Sequence, residues 1–456
     1  MPAIHDKFVD LLRTTVHVLE GGPDDFDPLL RSIGDCRFVL IGEASHGTHE
    51  FYKTRADITR RLICEKGFNA VIVEADWPDA WRVNRFVRGF NEDQDATEAL
   101  DGFKRFPQWM WRNADVLNFV GWLRERNDSL GIGAGPSDPR KVGFYGMDLY
   151  SLYTSIQAVL EYLDKVDPAA AARARYRYGC FEDHGEDAQA YGYAASFDLD
   201  RSCEDEAVRQ LVELRRHAAE NARRDGRMAE DEQFDAEQNA RVVQNAEEYY
   251  RSMFHGHVLS WNLRDTHMVE TINELVRFLD RRIGGLSKIA VWAHNSHLGD
   301  ARATEVSRAG ERNVGQLMRE QNPGDVFSIG FSTYSGTVTA ADDWDGTARR
   351  MQVRPALPGS YEALFHETNV PGFLLDVRGT RDGAAPEDLR QPKLQRAIGV
   401  IYKPETERLS HYYHARLADQ FDAMIHVDRT RAVEPLETKA QPPRILQEAE
   451  TYPTGV

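Results

Sequence analysis

The chain has 456 residues, with 73 acidic against 56 basic side chains, a formal net charge of -17 and an isoelectric point near 5.4. That balance excludes a nucleic-acid backbone as partner, because such binding needs clustered positive charge. The length is ample to bury a core, no apolar stretch is long enough to span a bilayer, and an N-terminus with Asp6, Asp10 and Glu20 among apolar residues does not read as a signal peptide.

Ile4, Phe8, Leu11, Leu12 and Val16 predict a helix over residues 3–18, ended by Gly21-Gly22-Pro23. A short helix from Phe26 to Ile33 precedes the first strand, residues 37–41. This apolar run opens into Gly42-Glu43-Ala44-Ser45-His46-Gly47. A carboxylate and an imidazole three residues apart thus sit at a strand end, where ligands bind in open α/β sheets. The helix from Thr48 to about Cys64 has an apolar stripe at Phe51, Ile58 and Leu62, and Arg55 falls on it. An arginine aimed at a core either meets a carboxylate or reaches back to solvent. Glu43, Glu74 and Asp76 are its natural partners.

Ala70-Val71-Ile72-Val73-Glu74 is the continuous apolar run of a central parallel strand, and it ends in Glu74 and Asp76. Asp79 to Phe90 predicts a helix. Phe106 to Arg124 predicts a strongly aromatic one, whose Trp109, Trp111, Phe119 and Trp122 either fill core or wall an apolar pocket. Residues 131–140 form a loop, and Lys141 to Tyr145 is a third strand leading to Gly146-Met147-Asp148. This alternation predicts a three-layer α/β/α core with a mostly parallel sheet, its first half spanning residues 1–150. Residues 151–284 contain no strand-like run and read as a helical insertion or cap. In its last helix, Ser260 to Leu279, the stripe Met268, Ile272, Leu275 and Leu279 extends back onto Arg264, with His267 beside it.

The second half of the core, 285–430, opens with a strand from Lys288 to Trp292 that runs into Ala293-His294-Asn295-Ser296-His297. Ile41-Gly42-Glu43-Ala44-Ser45-His46 lines up with Trp292-Ala293-His294-Asn295-Ser296-His297, a short echo consistent with duplication. Asn313 to Arg319 and Ser360 to His366 predict helices. Val326 to Phe331, Gly372 to Asp376, Ala397 to Tyr402 and Asp422 to Val427 predict strands, with Val338 on a neighbour of the first. The tail, 431–456, has little core-forming pattern from Glu434 onward. Cys36, Cys64, Cys180 and Cys203 have no paired spacing and are expected as reduced thiols of a cytoplasmic protein. Glycine-rich phosphate loops are absent from the sequence.

The spacing GxxSxG around Ser45 is not that of a nucleophile elbow, so Ser45 is expected to help cap the next helix. General-base hydrolysis fits better. His46 takes a proton from water, Glu43 fixes its tautomer, and Glu74, His294 and His297 position the water or the leaving alkoxide. Arg55 and Arg264 stabilise the developing oxyanion or order the carboxylates. Three imidazoles with two carboxylates are also a plausible divalent-metal site, and a non-catalytic pocket for an apolar ligand is a third reading. The Gly-Glu-Ala-Ser-His-Gly core, Arg55, Val73-Glu74-Ala75, Phe106-Pro107-Gln108-Trp109-Met110-Trp111-Arg112-Asn113, Ala293-His294-Asn295-Ser296-His297 and Ser410-His411-Tyr412-Tyr413-His414-Ala415 together resemble the erythromycin esterase family. That resemblance implies a hydrolase of ester or lactone bonds, macrolide lactones among them, acting through activated water with no covalent intermediate and no cofactor. Its implied catalytic positions are Glu43, His46, Arg55, Glu74, His294 and His297. Arg264, His267, Trp109 and His411 are expected to touch a small-molecule substrate; His411 and His414 either line its entrance or merely pack, and His49, on the first turn of a helix, is expected to be solvated.

Overall fold

Eight strands form the central sheet of the computed structural model. It describes residues 2–437 apart from 91, 132, 185–186, 198–201 and 379–388, with no side chains for 2–8, 183 and 217–228. In chain order the strands are β1 His17–Val18, β2 Phe38–Ile41, β3 Ala70–Asp76, β4 Gly143–Asp148, β5 Ile289–Trp292, β6 Val326–Ser332, β7 Gly372–Asp376 and β8 Ala423–Val427. Across the sheet they run β1-β7-β8-β6-β2-β5-β3-β4. Strands β8 through β4 are parallel, while β7 pairs antiparallel with β8 and β1 antiparallel with β7.

Side chains alternate across a strand, and here both faces are buried. Val39, Ile41, Val71, Val73 and Trp292 face one core with the helices His49–Lys66 and Ala114–Asp128. Phe38, Leu40, Ala70, Ile72 and Val291 face the other with His257–Ile283 and Val314–Gln321. Two covered faces make the expected three layers and explain why the central strands are apolar without interruption. Helix His49–Lys66 stops at Gly67, whose φ of 72° suits a residue without a Cβ.

Five helices, Leu152–Val166, Pro168–Tyr178, Ala188–Ser196, Glu204–Ser252 and His257–Ile283, lie between β4 and β5. The first four share a core of their own that includes Tyr162, Tyr178, Phe181, Tyr191 and Tyr249. The fifth turns back onto the sheet through Met268, Ile272 and Leu275. Cys180 and Cys203, expected as reduced thiols, form a disulfide with their Cα atoms 6.0 Å apart. Spacing along the chain carries no trace of it, because the packing of the turn Gly179–His184 beside the start of helix Glu204–Ser252 brings them together. Cys36 and Cys64 are free thiols.

Two other expectations differ. The aromatic stretch from Phe106 is not one helix, since a 3-10 turn at Gln108–Met110 is followed by a helix only from Ala114. Asn113 is the reason, for its side-chain oxygen accepts from the amides of Asp115 and Val116 (both 3.0 Å) and so caps a new start. Residues 397–402 form no regular strand. Their backbone is divided among three partners, with Ala397 N donating to His411 O (2.9 Å), Ile398 N to Ala44 O (2.9 Å) and Val400 O accepting from Ala341 N (2.9 Å). The neighbouring Lys393–Arg396 pairs instead with Tyr412–Ala415. Ser335–Ala340 pairs with Arg349–Val353 and Arg429–Thr430. Residues 438–456 of the tail lie outside the described residues. Among the described residues no helix is long and apolar enough to cross a membrane.

Candidate active site

Strands β2 and β5 are neighbours, with Ile41 opposite Trp292. The two polar loops of the sequence echo therefore leave the sheet side by side and at the same level. Asn295 N donates to Glu43 O (2.8 Å), and Asn295 clamps the pair to β6 by donating to Phe331 O (2.8 Å). A Cβ on Gly42 would press into the Asn295 side chain and lie 3.0 Å from Ile329 O, so only glycine fits between the loops.

Glu43 is fully buried. One oxygen, Oε1, lies 2.9 Å from His46 Nδ1, and Oε2 lies 2.9 Å from Arg55 Nη2. Arg55 packs over the rings of Tyr52 (4.3 Å) and Trp292 (5.1 Å) and has no exposed surface. It orders Glu43 and is out of reach of a substrate. His46 is 2 % exposed, and its Nε2 makes no hydrogen bond to a described residue.

Glu74, at the end of β3, gathers the other half of the cluster. Its Oε1 accepts from Arg264 Nη2 (2.8 Å) and lies 3.3 Å from His297 Nε2, while Oε2 accepts from the His294 amide (2.9 Å). Burial opposes the charge on this carboxyl, but His297 and Arg264 outweigh it and hold the group well below the usual carboxylate range. Arg264 also grips Asp148 in a fork, Nε to Oδ1 at 3.0 Å and Nη2 to Oδ2 at 2.7 Å. His297 Nδ1 lies 3.0 and 2.9 Å from the two oxygens of Asp265, and Trp261 stacks on its ring at 4.4 Å. Burial works against a charged His297, and so does Arg264, whose Nη1 is 3.1 Å away. The carboxylates of Asp265 and Glu74 prevail and raise it to about 9. His294 is the opposite case. Its ring centroid is 4.9 Å from that of His46, and its Nδ1 meets Ser296 Oγ (2.8 Å) and accepts from the Ser296 amide (3.3 Å). Burial and the neighbouring His46 keep it neutral, far below the ordinary imidazole value.

A pocket of about 440 Å³, open to solvent at its mouth, adjoins the cluster. Glu74, Asp148 and Arg264 form part of its wall, facing Phe103, Phe106, Met110 and Trp111; His46 is not among its lining residues. Trp109, His267 and His411 do not line it either. Trp109 packs in the core beside Met110. His267 faces helix Glu204–Ser252, where Asn245 (2.9 Å) and Thr271 (3.4 Å) meet its nitrogens and burial lowers it to about 3. His411 accepts from Lys403 N (3.1 Å), near Tyr402. Ser45 bonds to the Thr48 hydroxyl, and Thr48 rather than Ser45 stands at the cap position. His49 lies between Asp115 and Arg431, and His414 meets Glu305 at the surface. Two members of the cluster escaped the sequence reading. Asp148 ends β4 and carried the same strand-end signal as Glu74, whereas Asp265 is marked only by standing next to Arg264.

The side chains of the cluster engage one another. Glu43 is committed to His46 and Arg55, Glu74 to Arg264, and His297 to Asp265 and Glu74. A guanidinium occupies the space between Glu74 and Asp148 that a cation would need. Among the described residues no three His, Cys, Asp or Glu side chains are placed to hold one.

Parallel strands whose ends bring imidazoles and carboxylates together beside one pocket define an α/β protein with its candidate site at the strand ends. The sequence pattern of the family described as "Erythromycin esterase" matches residues 63–430. The chain belongs to the erythromycin esterase family. It is 22% identical over 421 residues to "Putative hydrolase YbfO" of Bacillus subtilis (strain 168), covering 86% of this chain and 83% of that one. It is 29% identical to "Erythromycin esterase type II" of Escherichia coli over 126 residues, 28% of this chain and 26% of that one. Among solved structures, a succinoglycan biosynthesis protein superposes with a TM-score of 0.74 at 19% identity, covering 95% of this chain and 99% of the other. The erythromycin esterase EreC in its open conformation gives 0.61 at 18% identity, covering 89% and 93%. At those identities the superpositions speak to the fold alone.

Proposed function

We propose that this chain hydrolyses a carboxylic ester or lactone, with His46 as general base and no covalent enzyme intermediate. The single observation that carries this reading is the Glu43–His46 pair. Glu43 holds Nδ1–H at 2.9 Å, which leaves the lone pair of Nε2 unengaged. A water molecule gives its proton to Nε2 as its oxygen bonds to the carbonyl carbon. The tetrahedral adduct then collapses, the carbon–alkoxide bond breaks, and His46 returns the proton to the alkoxide. Acid and alcohol leave, and the imidazole is neutral again. Neutral His294, whose Nδ1 accepts from the Ser296 amide (3.3 Å), carries its proton on Nε2 and donates a hydrogen bond that orients the attacking water. The positive charge of Arg264 and His297 favours the developing oxyanion. Macrolide lactones are candidate substrates, as the names of the relatives suggest. The aromatic side of the pocket, with Phe103, Phe106 and Trp111, suits an apolar part of such a macrocycle.

The test is mass spectrometry of macrolides, simple lactones and simple esters incubated with wild type and His46→Ala, with and without a chelator. A gain of one water in a lactone, or cleavage of an ester, is expected with wild type. His46→Ala is expected to be slower by about 10²- to 10⁴-fold, and chelation to change nothing. Equal turnover by the two proteins would remove His46 from its role, and loss of activity on chelation would replace the mechanism with a metal-dependent one.

A further inference from the structure

The pocket wall carries four carboxylates, from Glu74, Asp76, Asp79 and Asp148, against two arginines, Arg105 and Arg264. Three of the four have cationic partners. Arg264 serves Glu74 and Asp148, and Arg105 Nε donates to Asp76 Oδ2 at 3.0 Å. Asp79 makes no hydrogen bond or ion pair with a described residue, although it is largely buried. A Cβ on Gly102 would stand 3.2 Å from Asp79 Oδ1, so the glycine keeps the approach to this carboxylate open. Opposite it the wall is aromatic, with Phe103, Phe106 and Trp111. Rings in this pocket already serve cations, since the Arg105 and Arg264 guanidiniums lie 4.5 and 5.0 Å from the centre of the Tyr150 ring.

Surplus negative charge excludes an anionic ligand. A carboxylate without a cationic partner among the described residues, in a pocket that also has aromatic walls, suits a cation with a greasy coat, which gains from the rings as well as from the charge. The geometry points to a subsite for a protonated alkylamine, with Asp79 as its counter-ion and Phe103, Phe106 and Trp111 as its apolar walls. The amine's place within a substrate rests on the hydrolytic reading above, whereas its binding does not. A proton count supports the assignment. Burial and the charge of Asp76 raise Asp79 to about 8, against the opposing charges of Arg105, Lys104 and Arg82. Glu74, Asp148 and Arg264 share the wall and are already ion-paired. At neutral pH the empty pocket therefore keeps a proton on Asp79, and an arriving ammonium displaces it.

The experiment compares two probes of the same shape, choline and uncharged 3,3-dimethylbutan-1-ol, by calorimetry on the full chain, without turnover. Wild type is expected to bind choline at least tenfold more tightly and to release a proton at pH 7, read from the dependence of the heat on the buffer. Asp79→Asn is expected to bring the preference below threefold and to abolish the proton release. Equal affinity for the two probes, no binding of choline, or an unchanged preference in folded Asp79→Asn would each overturn the subsite. Ester hydrolysis without a choline preference would overturn the subsite and leave the hydrolase standing. Choline binding without any hydrolysis would do the reverse.

Discussion

Asp265 and His297 set the charge beside the pocket. A histidine between two carboxylates is cationic at pH 7, and its ring is expected to titrate at about 9 by NMR. Asp265→Asn is expected to bring that midpoint below 7. Because the folded value lies above the ordinary 6.5, the stabilisation is complete below about pH 6.5 and is lost as the pH rises through 9. Its size is on the order of 3 kcal/mol. Urea unfolding of wild type between pH 6.5 and 9.5 should therefore show a steeper fall than in Asp265→Asn. The variant should start lower, by about 3–5 kcal/mol, since it breaks a buried ion pair. An equal pH slope in both proteins would mean that His297 is neutral in the folded state. Asp148 is another residue of this kind, for its fork with Arg264 spans 116 positions of chain. Asp148 stands at a strand end as Glu74 does, whereas nothing but the neighbouring Arg264 marks Asp265. Glu43, His46, Glu74, His294 and His297 were legible because each interrupts an apolar run at a strand end, which is a signal one residue wide. Arg264 was legible because a charge on an apolar helix stripe must have a partner.

At the scale of elements, the close approach of the β2 and β5 loops depends on Gly42. Gly42→Ala must push Asn295 away, and with it the amide that meets Glu43 O. It is expected to cost about 1–3 kcal/mol by chemical denaturation. Activity should fall by more than that loss explains, because His294 and Glu43 would separate. A fully active, equally stable Gly42→Ala would mean that the loops have slack. The strands themselves could be read from apolar runs, and the two-sided burial of the sheet is why those runs are unbroken. Elements whose partners are distant could not. Residues 397–402 look like a strand in composition, yet their hydrogen bonds go to Ala44, Ala341 and His411 in separate segments. The aromatic stretch before Asn113 has helical character, yet a single capping side chain decides where the helix begins.

Across the whole molecule, the disulfide and the sheet divide the chain into parts held by different means. The bond between Cys180 and Cys203 closes a segment with a sequence separation of 23 within the helical region. In the chain-entropy description such a link contributes roughly 3 kcal/mol. Reductant, or Cys203→Ser, is expected to lower the first thermal transition and to leave intact a later one belonging to the sheet. A single unshifted transition would show that the link adds nothing. The catalytic cluster needs no such staple, because Ile41 lies opposite Trp292 in a hydrogen-bonded register. A slip of one position would send every side chain of a strand to the other face, but the amount of chain looped out between the strands does not enter that condition. Helices Leu152–Val166, Pro168–Tyr178 and Ala188–Ser196 can therefore lengthen, shorten or be exchanged for others while Glu43, His46, His294 and His297 stay where they are. The last two helices of that region are bound to their places, Glu204–Ser252 through Asp231 with Arg88 (3.1 Å) and Asp235 with Trp77 Nε1 (2.8 Å), and His257–Ile283 through Arg264 and Asp265. Chain can thus be exchanged between two strands whose pairing never has to move.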